Sequence, residues 1–104
     1  MRVAITSTGN NLQSTIDPRF GRCAYFVIYD TETKATEFIP NPNIDVTDGA
    51  GPASVQLVAS RDISKVVSGE FGMKIKSLFD SLKIQMILMK KKKTIEEIIE
   101  LFNH

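Results

Sequence analysis

Cysteine is nearly missing from this chain of 104 residues, in which Cys23 stands alone. A lone thiol excludes a disulfide framework within the chain and points to a reducing compartment, so a cytoplasmic protein is expected. The same count rules out a four-cysteine iron–sulfur site. Histidine is just as scarce, with only His104 at the final position, where chain ends fray. No apolar run approaches the roughly 18 residues that a membrane span requires. The chain opens directly into a strand-like segment, without the charged and apolar regions of a signal peptide, and a membrane partner is not expected. The formal net charge of +1 supplies no general attraction to nucleic acid. No repeat and no low-complexity linker divides the chain, and its length suits one domain with one core over residues 1–104.

What is present is an ordinary globular balance, with 42% apolar and 24% charged residues. Positive charge is nevertheless concentrated. Removing the run Lys90 to Lys93 from a chain at +1 would leave the remainder at −3.

Periodicity assigns the elements. Arg2 to Ser7 is β-prone and stops at Thr8-Gly9-Asn10-Asn11. Asp17-Pro18 disfavours helix in the polar stretch that follows. Cys23 to Tyr29 is continuously apolar and aromatic, as in a strand buried on both faces. A turn at Asp30 to Lys34 leads to a second strand over Ala35 to Ile39, ended by Pro40-Asn41-Pro42-Asn43. Beyond residue 49 the pattern alternates. A helix opens near Gly49-Ala50-Gly51-Pro52, with Pro52 suited to the first helical position. Ile63 to Val67 is a strand. Met73 to Leu82 is a helix whose face is Ile75, Leu78, Phe79 and Leu82. Ile84 to Met89 is another buried strand. Thr94 and Glu97 then form a capping box before Ile95, Ile98, Ile99 and Phe102.

The order β-β-β-α-β-α-β-α predicts an α/β fold with a mixed five-stranded sheet. The second half demands parallel strands with right-handed crossovers, and the first half adds an antiparallel hairpin at one edge. Ligands of such sheets sit beyond the carboxyl ends of the strands, where helix N-termini also point. That rule selects Ser7 to Asn11, Ser68 to Gly72, the Gly49-Ala50-Gly51 turn and Lys90 to Lys93.

One stretch is more specific. Asp17-Pro18-Arg19-Phe20-Gly21-Arg22-Cys23-Ala24-Tyr25-Phe26 resembles the signature of the dinitrogenase iron–molybdenum cofactor-binding family, which includes nitrogenase cofactor-biosynthesis accessory proteins. Asn41-Pro42, Gly49-Ala50-Gly51 and Gly69-Glu70-Phe71-Gly72 match in order, so the resemblance runs from about Val3 to Leu88. It implies a three-layer α/β/α, ribonuclease-H-like fold. It also implies a non-enzymatic binder or carrier of an iron–sulfur or iron–molybdenum cluster, serving a metallocluster-assembly protein or a cluster acceptor, as monomer or homodimer. Many such proteins carry histidines before the Gly-x-Gly turn, where this chain has Thr47 and Asp48. The Gly-Pro that opens the later helix is here Gly72-Met73. On this resemblance Cys23 is the candidate soft metal ligand, Arg19 and Arg22 balance the charge of a cluster, and Gly49, Gly51, Gly69 and Gly72 offer backbone amides. The lysine run would steer anions to the rim.

Plainer roles stand beside these. Cys23 also suits a core position, Arg19 or Arg22 could pair with Asp17 or Asp30, and the lysines could form a solvated loop. Two other functions remain open. One is a small-anion or protein-interaction module that has lost its cluster site. The other is a metal-dependent nuclease, which would need Asp17, Asp45, Asp48 and Glu70 to converge. Strands one, four and five carry no carboxylate, which counts against the nuclease.

Overall fold

Strands form where β-branched and aromatic residues concentrate, and helices where apolar residues recur every three to four positions. In the computed structural model, which describes residues 1–103, β1 is Arg2–Ser7, β2 Tyr25–Asp30 and β3 Thr36–Pro40. They are followed by α1 (Ala50–Ala59), β4 (Lys65–Ser68), α2 (Met73–Ser81), β5 (Gln85–Leu88) and α3 (Ile95–Glu100). The expected element order is the observed one. His104 lies outside the described residues.

The five strands make one sheet in the order β3-β2-β1-β4-β5. β2 runs antiparallel to β1 and β3, with Ala4 opposite Ile28 and Ile28 opposite Glu37. β4 runs parallel to β1 and β5, with Ala4 opposite Val66 and Val66 opposite Met86. β1, β4 and β5 therefore end on one rim, at Ser7, Ser68 and Leu88. Among the described residues, no helix is long and apolar enough to cross a membrane.

The period of two along the strands divides the core into two layers. Ala4, Phe26, Ile28 and Val66 meet Val55 and Val58 of α1 and Ile75 and Phe79 of α2. Val3, Ile5, Val27, Tyr29 and Val67 meet Ile95, Ile98 and Ile99 of α3 on the opposite face. The three-layer α/β/α architecture follows. Phe20, from the connection between β1 and β2, stands edge-on to Phe79 with ring centroids 5.2 Å apart and lies 5.6 Å from Phe26. Burying each such ring is worth about 1.5–3 kcal/mol, so this packing anchors the connection to the first layer.

Three expectations are corrected. β5 is an outer strand rather than a buried one, for Gln85 and Leu88 are exposed and Met86 and Ile87 half-buried. A short apolar run does not distinguish a central strand from an edge. β2 begins at Tyr25, leaving Cys23 just before it, although Cys23 is fully buried. Pro52 is the third residue of α1 rather than the first. The first i to i−4 bond of that helix runs from Ala53 N–H to Gly49 O at 3.0 Å, so Pro52 still removes no helical donor. Gly49 precedes the helix at φ 77°, a left-handed conformation that costs glycine nothing.

Candidate functional site

The connection between β1 and β2 (residues 8–24) determines what happens at the rim. Its polar sequence cannot join the sheet at length, so its backbone groups find partners elsewhere. Asp17 N–H donates to Thr6 O at 3.0 Å, and the Thr6 hydroxyl donates to Asp17 O at 2.6 Å, with Ser68 Oγ 3.1 Å away. Both hydroxyl residues are fully buried. This clamps the connection over the ends of β1 and β4. Thr8 N–H donates to Thr15 O at 3.0 Å, closing a narrow loop. Ile16 N–H donates to Lys93 O at 2.9 Å and Ile95 N–H to Ser14 O at 2.8 Å, which ties the loop to the start of α3.

A cleft of about 500 Å³ opens between these pieces. Thr8, Thr15, Ile16 and Pro18 line one side, Gly69 and Glu70 come from the end of β4, and Met89 with Lys90, Lys91 and Lys92 forms the other side. Gly69 lets Pro18 approach: a Cβ at residue 69 would lie 2.5 Å from Pro18 Cα, a clash with backbone that cannot relax cheaply. The polar lining consists of three ammonium groups, one carboxylate, two hydroxyls and backbone. Such a surface attracts anions, and besides the Met89 thioether it offers hydroxyl, carboxylate and amide contacts, with no thiolate or imidazole.

The remaining site candidates gather elsewhere. Arg22 donates through Nη1 to Ile44 O at 3.1 Å and to Val46 O, and through Nη2 to Thr47 O at 3.4 Å. Its charge is spent on carbonyls of the 43–48 loop, and it pairs with neither Asp17 nor Asp30. Asn41 is buried and donates to Gly21 O at 3.1 Å and Cys23 O at 2.9 Å, while its Oδ1 accepts from Asn43 N–H at 2.9 Å. The Asn41-Pro42 motif thus pins the strip around Cys23. Gly21 abuts the backbone of Gly51, where a Cβ would lie 3.1 Å from Gly51 Cα and N, a tight fit. Gly51 packs in this region against Ile75 and Gly21, Gly49 is exposed beside it, and neither lines the cleft.

Cys23 has no exposed surface, and burial, reinforced by the nearby Asp17 carboxylate, pushes its thiol up to about 12. In the closed fold its sulfur is a protonated core group. Arg19 lies between the two regions. It pairs with Asp17 Oδ1 through Nε at 3.4 Å, and that oxygen also accepts Arg19 N–H at 2.9 Å. Gly72 has extended backbone before α2 and does not line the cleft. Of the carboxylates a nuclease would converge, Asp17 is buried beside Arg19, whereas Asp45, Asp48 and Glu70 are exposed. Among the described residues, no group of three or more His, Cys, Asp and Glu side chains is placed to hold a metal ion.

Of the site residues expected from the sequence, the cleft unites Gly69 with the lysines and separates them from Arg22, Cys23, Gly49 and Gly51. Thr15, Ile16, Pro18 and Met89 were missed. Pro18 lies inside the signature stretch, which was the one available hint. Thr15 and Ile16 reach the site through pairing with Thr94 and Lys93, for which no local signal exists.

The family described as dinitrogenase iron-molybdenum cofactor matches the chain over residues 1–104. An uncharacterized protein of Methanocaldococcus jannaschii is 30% identical over 105 residues, covering 98% of this chain and 85% of that protein. The orange protein of Desulfovibrio gigas, solved in its apo form, superposes with a TM-score of 0.90 at 29% identity, covering 97% of this chain and 85% of that one. A Thermotoga protein of the DUF35 family, solved by NMR and described as a candidate NifB protein, gives a TM-score of 0.83 at 32% identity over 97% of this chain and 85% of its own. The signature around Asp17 to Phe26, the three-layer fold and the match along the whole sequence agree, and this chain belongs to the dinitrogenase iron-molybdenum cofactor family.

Proposed function

We propose that this protein binds a preassembled anionic metal–sulfur cluster, of the iron–sulfur or iron–molybdenum type, in the rim cleft. It carries this cargo without chemistry of its own and hands it to an acceptor in metallocluster assembly. The observation that supports the reading most is the lining: Lys90, Lys91 and Lys92 around a cleft of about 500 Å³, with no thiolate or imidazole among the residues that form it. A cluster that needed thiolate or imidazole ligands would find none there. One that brings its own sulfides and carries negative charge would be held by the ammonium groups, the Thr8 and Thr15 hydroxyls and backbone amides near Gly69. Cys23 is then a core residue and not the metal ligand, and Arg22 and Gly51 support the loop beside it. The lone cysteine fits cargo of this kind handled in a reducing cytoplasm.

A second reading draws on the same lining. The cationic rim without thiolate or imidazole would equally hold a small oxyanion, in a module whose cluster site has been lost.

Anaerobic loading separates the two. The purified chain is incubated with an iron–sulfur or thiomolybdate cluster, desalted, and read by visible absorbance and by metal content per chain. Retention of about one cluster per chain is expected, weakening as salt rises from roughly 50 to 500 mM because the contacts are ionic and exposed. Cys23→Ser should load like the parent. Loss of loading in a folded Cys23→Ser protein would overturn the outer-contact arrangement and restore the cysteine as ligand. A parent protein that stays colourless while binding phosphate or molybdate at the lysines would replace the carrier with the small-anion module.

A further inference from the structure

The two edges of the sheet differ in how they are protected. β3 ends in Pro40, is followed by Pro42 and carries Glu37, which are ordinary devices against edge pairing. β5 has none of these. Gln85-Met86-Ile87-Leu88 contains no proline and no charge, and Leu88 is 53% exposed. Gln85 N–H donates to Ser64 O at 3.0 Å and Met89 N–H to Ser68 O at 2.9 Å. In a parallel ladder alternate residues face the same neighbour, so Met86 and Leu88 turn their N–H and C=O groups away from β4, toward the open edge. Charge brackets this segment on both sides, with Lys83 before it and Lys90 to Lys93 after it.

We propose that the β5 edge is a docking surface for an extended segment of a partner protein, apolar in the middle and acidic at both ends, which adds a sixth strand beside Met86 and Leu88. Main-chain bonds to those two residues give affinity, and the flanking lysines give selectivity. A second copy of this chain fits poorly. Antiparallel pairing of β5 with itself about Ile87 would set Lys83 of one copy against Lys91 of the other, and like charges directly opposite are destabilising. Pairing β5 with β3 of another copy is head-to-tail, generates an open filament, and meets Pro40. An acidic-ended strand meets neither obstacle. It would lie beside the wall of the cleft, since Met89 to Lys92 continues directly from β5. The strand-addition surface at Met86 and Leu88 lies outside the cleft lining and does not depend on which cargo the cleft carries, although Lys90 to Lys92 border both.

The test uses the whole chain, labelled with nitrogen-15, and two capped peptides. Each peptide alternates valine and threonine over five residues. One has two glutamates at each end and the other has lysines there. The glutamate peptide should bind at least about tenfold tighter than its lysine twin. It should also slow hydrogen exchange at the amides of Met86 and Leu88. Leu88→Pro removes an outward donor without touching the ladder to β4, so binding should fall about tenfold or more while far-ultraviolet circular dichroism and cluster or phosphate uptake stay as in the parent. The exchange footprint needs no variant, so the proposal remains decidable if Leu88→Pro fails to fold. Equal affinity for the two peptides would overturn the proposal, as would protection at residues other than Met86 and Leu88. A free protein that sediments as a dimer, with those two amides protected at rising concentration, would assign the edge to a second copy instead.

Discussion

Two regions flank the same signature stretch and have opposite characters. On one side Pro18 and Gly69 face Lys90, Lys91 and Lys92 across an open cleft. On the other, Arg22, Cys23, Asn41 and Gly51 are occupied by one another and by neighbouring backbone. Among the described residues, the Lys90, Lys91 and Lys92 ammonium groups of the open side have no ion-pair partner. On the sealed side the Arg22 guanidinium and the Asn41 amide are taken up by neighbouring carbonyls. A binding protein needs both, because a loop that presents a site must be held by something other than its ligand. Residues that share a sequence motif therefore divide between presenting the site and holding the strip that forms it.

Reversing the charge of the open side should produce the largest effect. Changing Lys90, Lys91 and Lys92 together to Glu replaces attraction with repulsion at three exposed positions. At up to about 1 kcal/mol for each exposed pair, cluster or oxyanion binding should weaken by roughly a hundredfold. Folding stability should hold or rise slightly, since carboxylates before α3 suit its N-terminus better than ammonium groups do. Anaerobic loading combined with urea denaturation separates the two quantities. A triple variant that binds like the parent would remove the cleft as the site.

The sealed side should answer in the opposite way. Asn41→Ala deletes two donated bonds and one accepted bond in a buried position, leaving the Cys23 carbonyl unpaired and the Gly21 carbonyl with only the long contact from the Ser54 hydroxyl at 3.5 Å. A loss of about 2–3 kcal/mol is expected, read as a lower urea midpoint. Loading of the fraction that remains folded should be unchanged. If binding falls in step with the lysine variant while stability holds, the division between the two regions is wrong.

Much of this was legible beforehand. Ile75, Leu78 and Phe79 announced α2 by their spacing, and Thr94 with Glu97 announced the start of α3, because both signals act between residues close in sequence. The rim position of Gly69 and the lysines followed from the direction of parallel strands, a rule of topology that needs no side-chain detail. The division of the site was not legible. Whether Arg22 points to a ligand or to the carbonyls of Ile44, Val46 and Thr47 depends on how the 43–48 loop folds back, and no local pattern encodes that. The same holds for Thr15 and Ile16, whose place depends on Lys93 and Thr94 far along the chain. Cys23 misled for a related reason: its place beside the strand was readable, but its closure beneath Asn41 and the first core layer was not.

The buried thiol gives a finer probe of the sealed side. Burial raises the Cys23 pKa from 9.0 to about 12, so the folded state keeps the proton that the unfolded chain has begun to release. Below pH 9 both states are protonated and the group contributes no pH dependence. Between about 9 and 12 the unfolded state binds fewer protons, and stability falls with rising pH by up to about 1.4 kcal/mol per unit. Measured from pH 9 to 10.5, the parent should lose about 1.6 kcal/mol more than Cys23→Ala, whose own slope supplies the background. Matching slopes would mean that the thiol is open to solvent as folded, and would return it to the list of possible ligands.

The smallest effect belongs to the joint behind the cleft. Thr94 Oγ1 accepts the Glu97 N–H at 3.2 Å, and Glu97 Oε1 accepts the Thr94 N–H at 2.9 Å. The Thr94 N–H, donating to the carboxylate, holds the Glu97 carboxyl below its usual range, and the adjacent Thr94 hydroxyl contributes next. Thr94→Ala removes the hydroxyl alone, so the Glu97 pKa should move only part of the way back in an NMR titration, and stability should drop by about 1 kcal/mol. The change should stay local. Thr94 also pairs with Thr15, so the Ile16 and Ile95 amides, which tie the loop to α3, should exchange faster. The Asn41 amide, bonded to Ala24 O within the sealed side, should exchange as before. Faster exchange at Asn41 as well would mean that the two regions open together, and that the cleft can loosen only by unsealing Cys23.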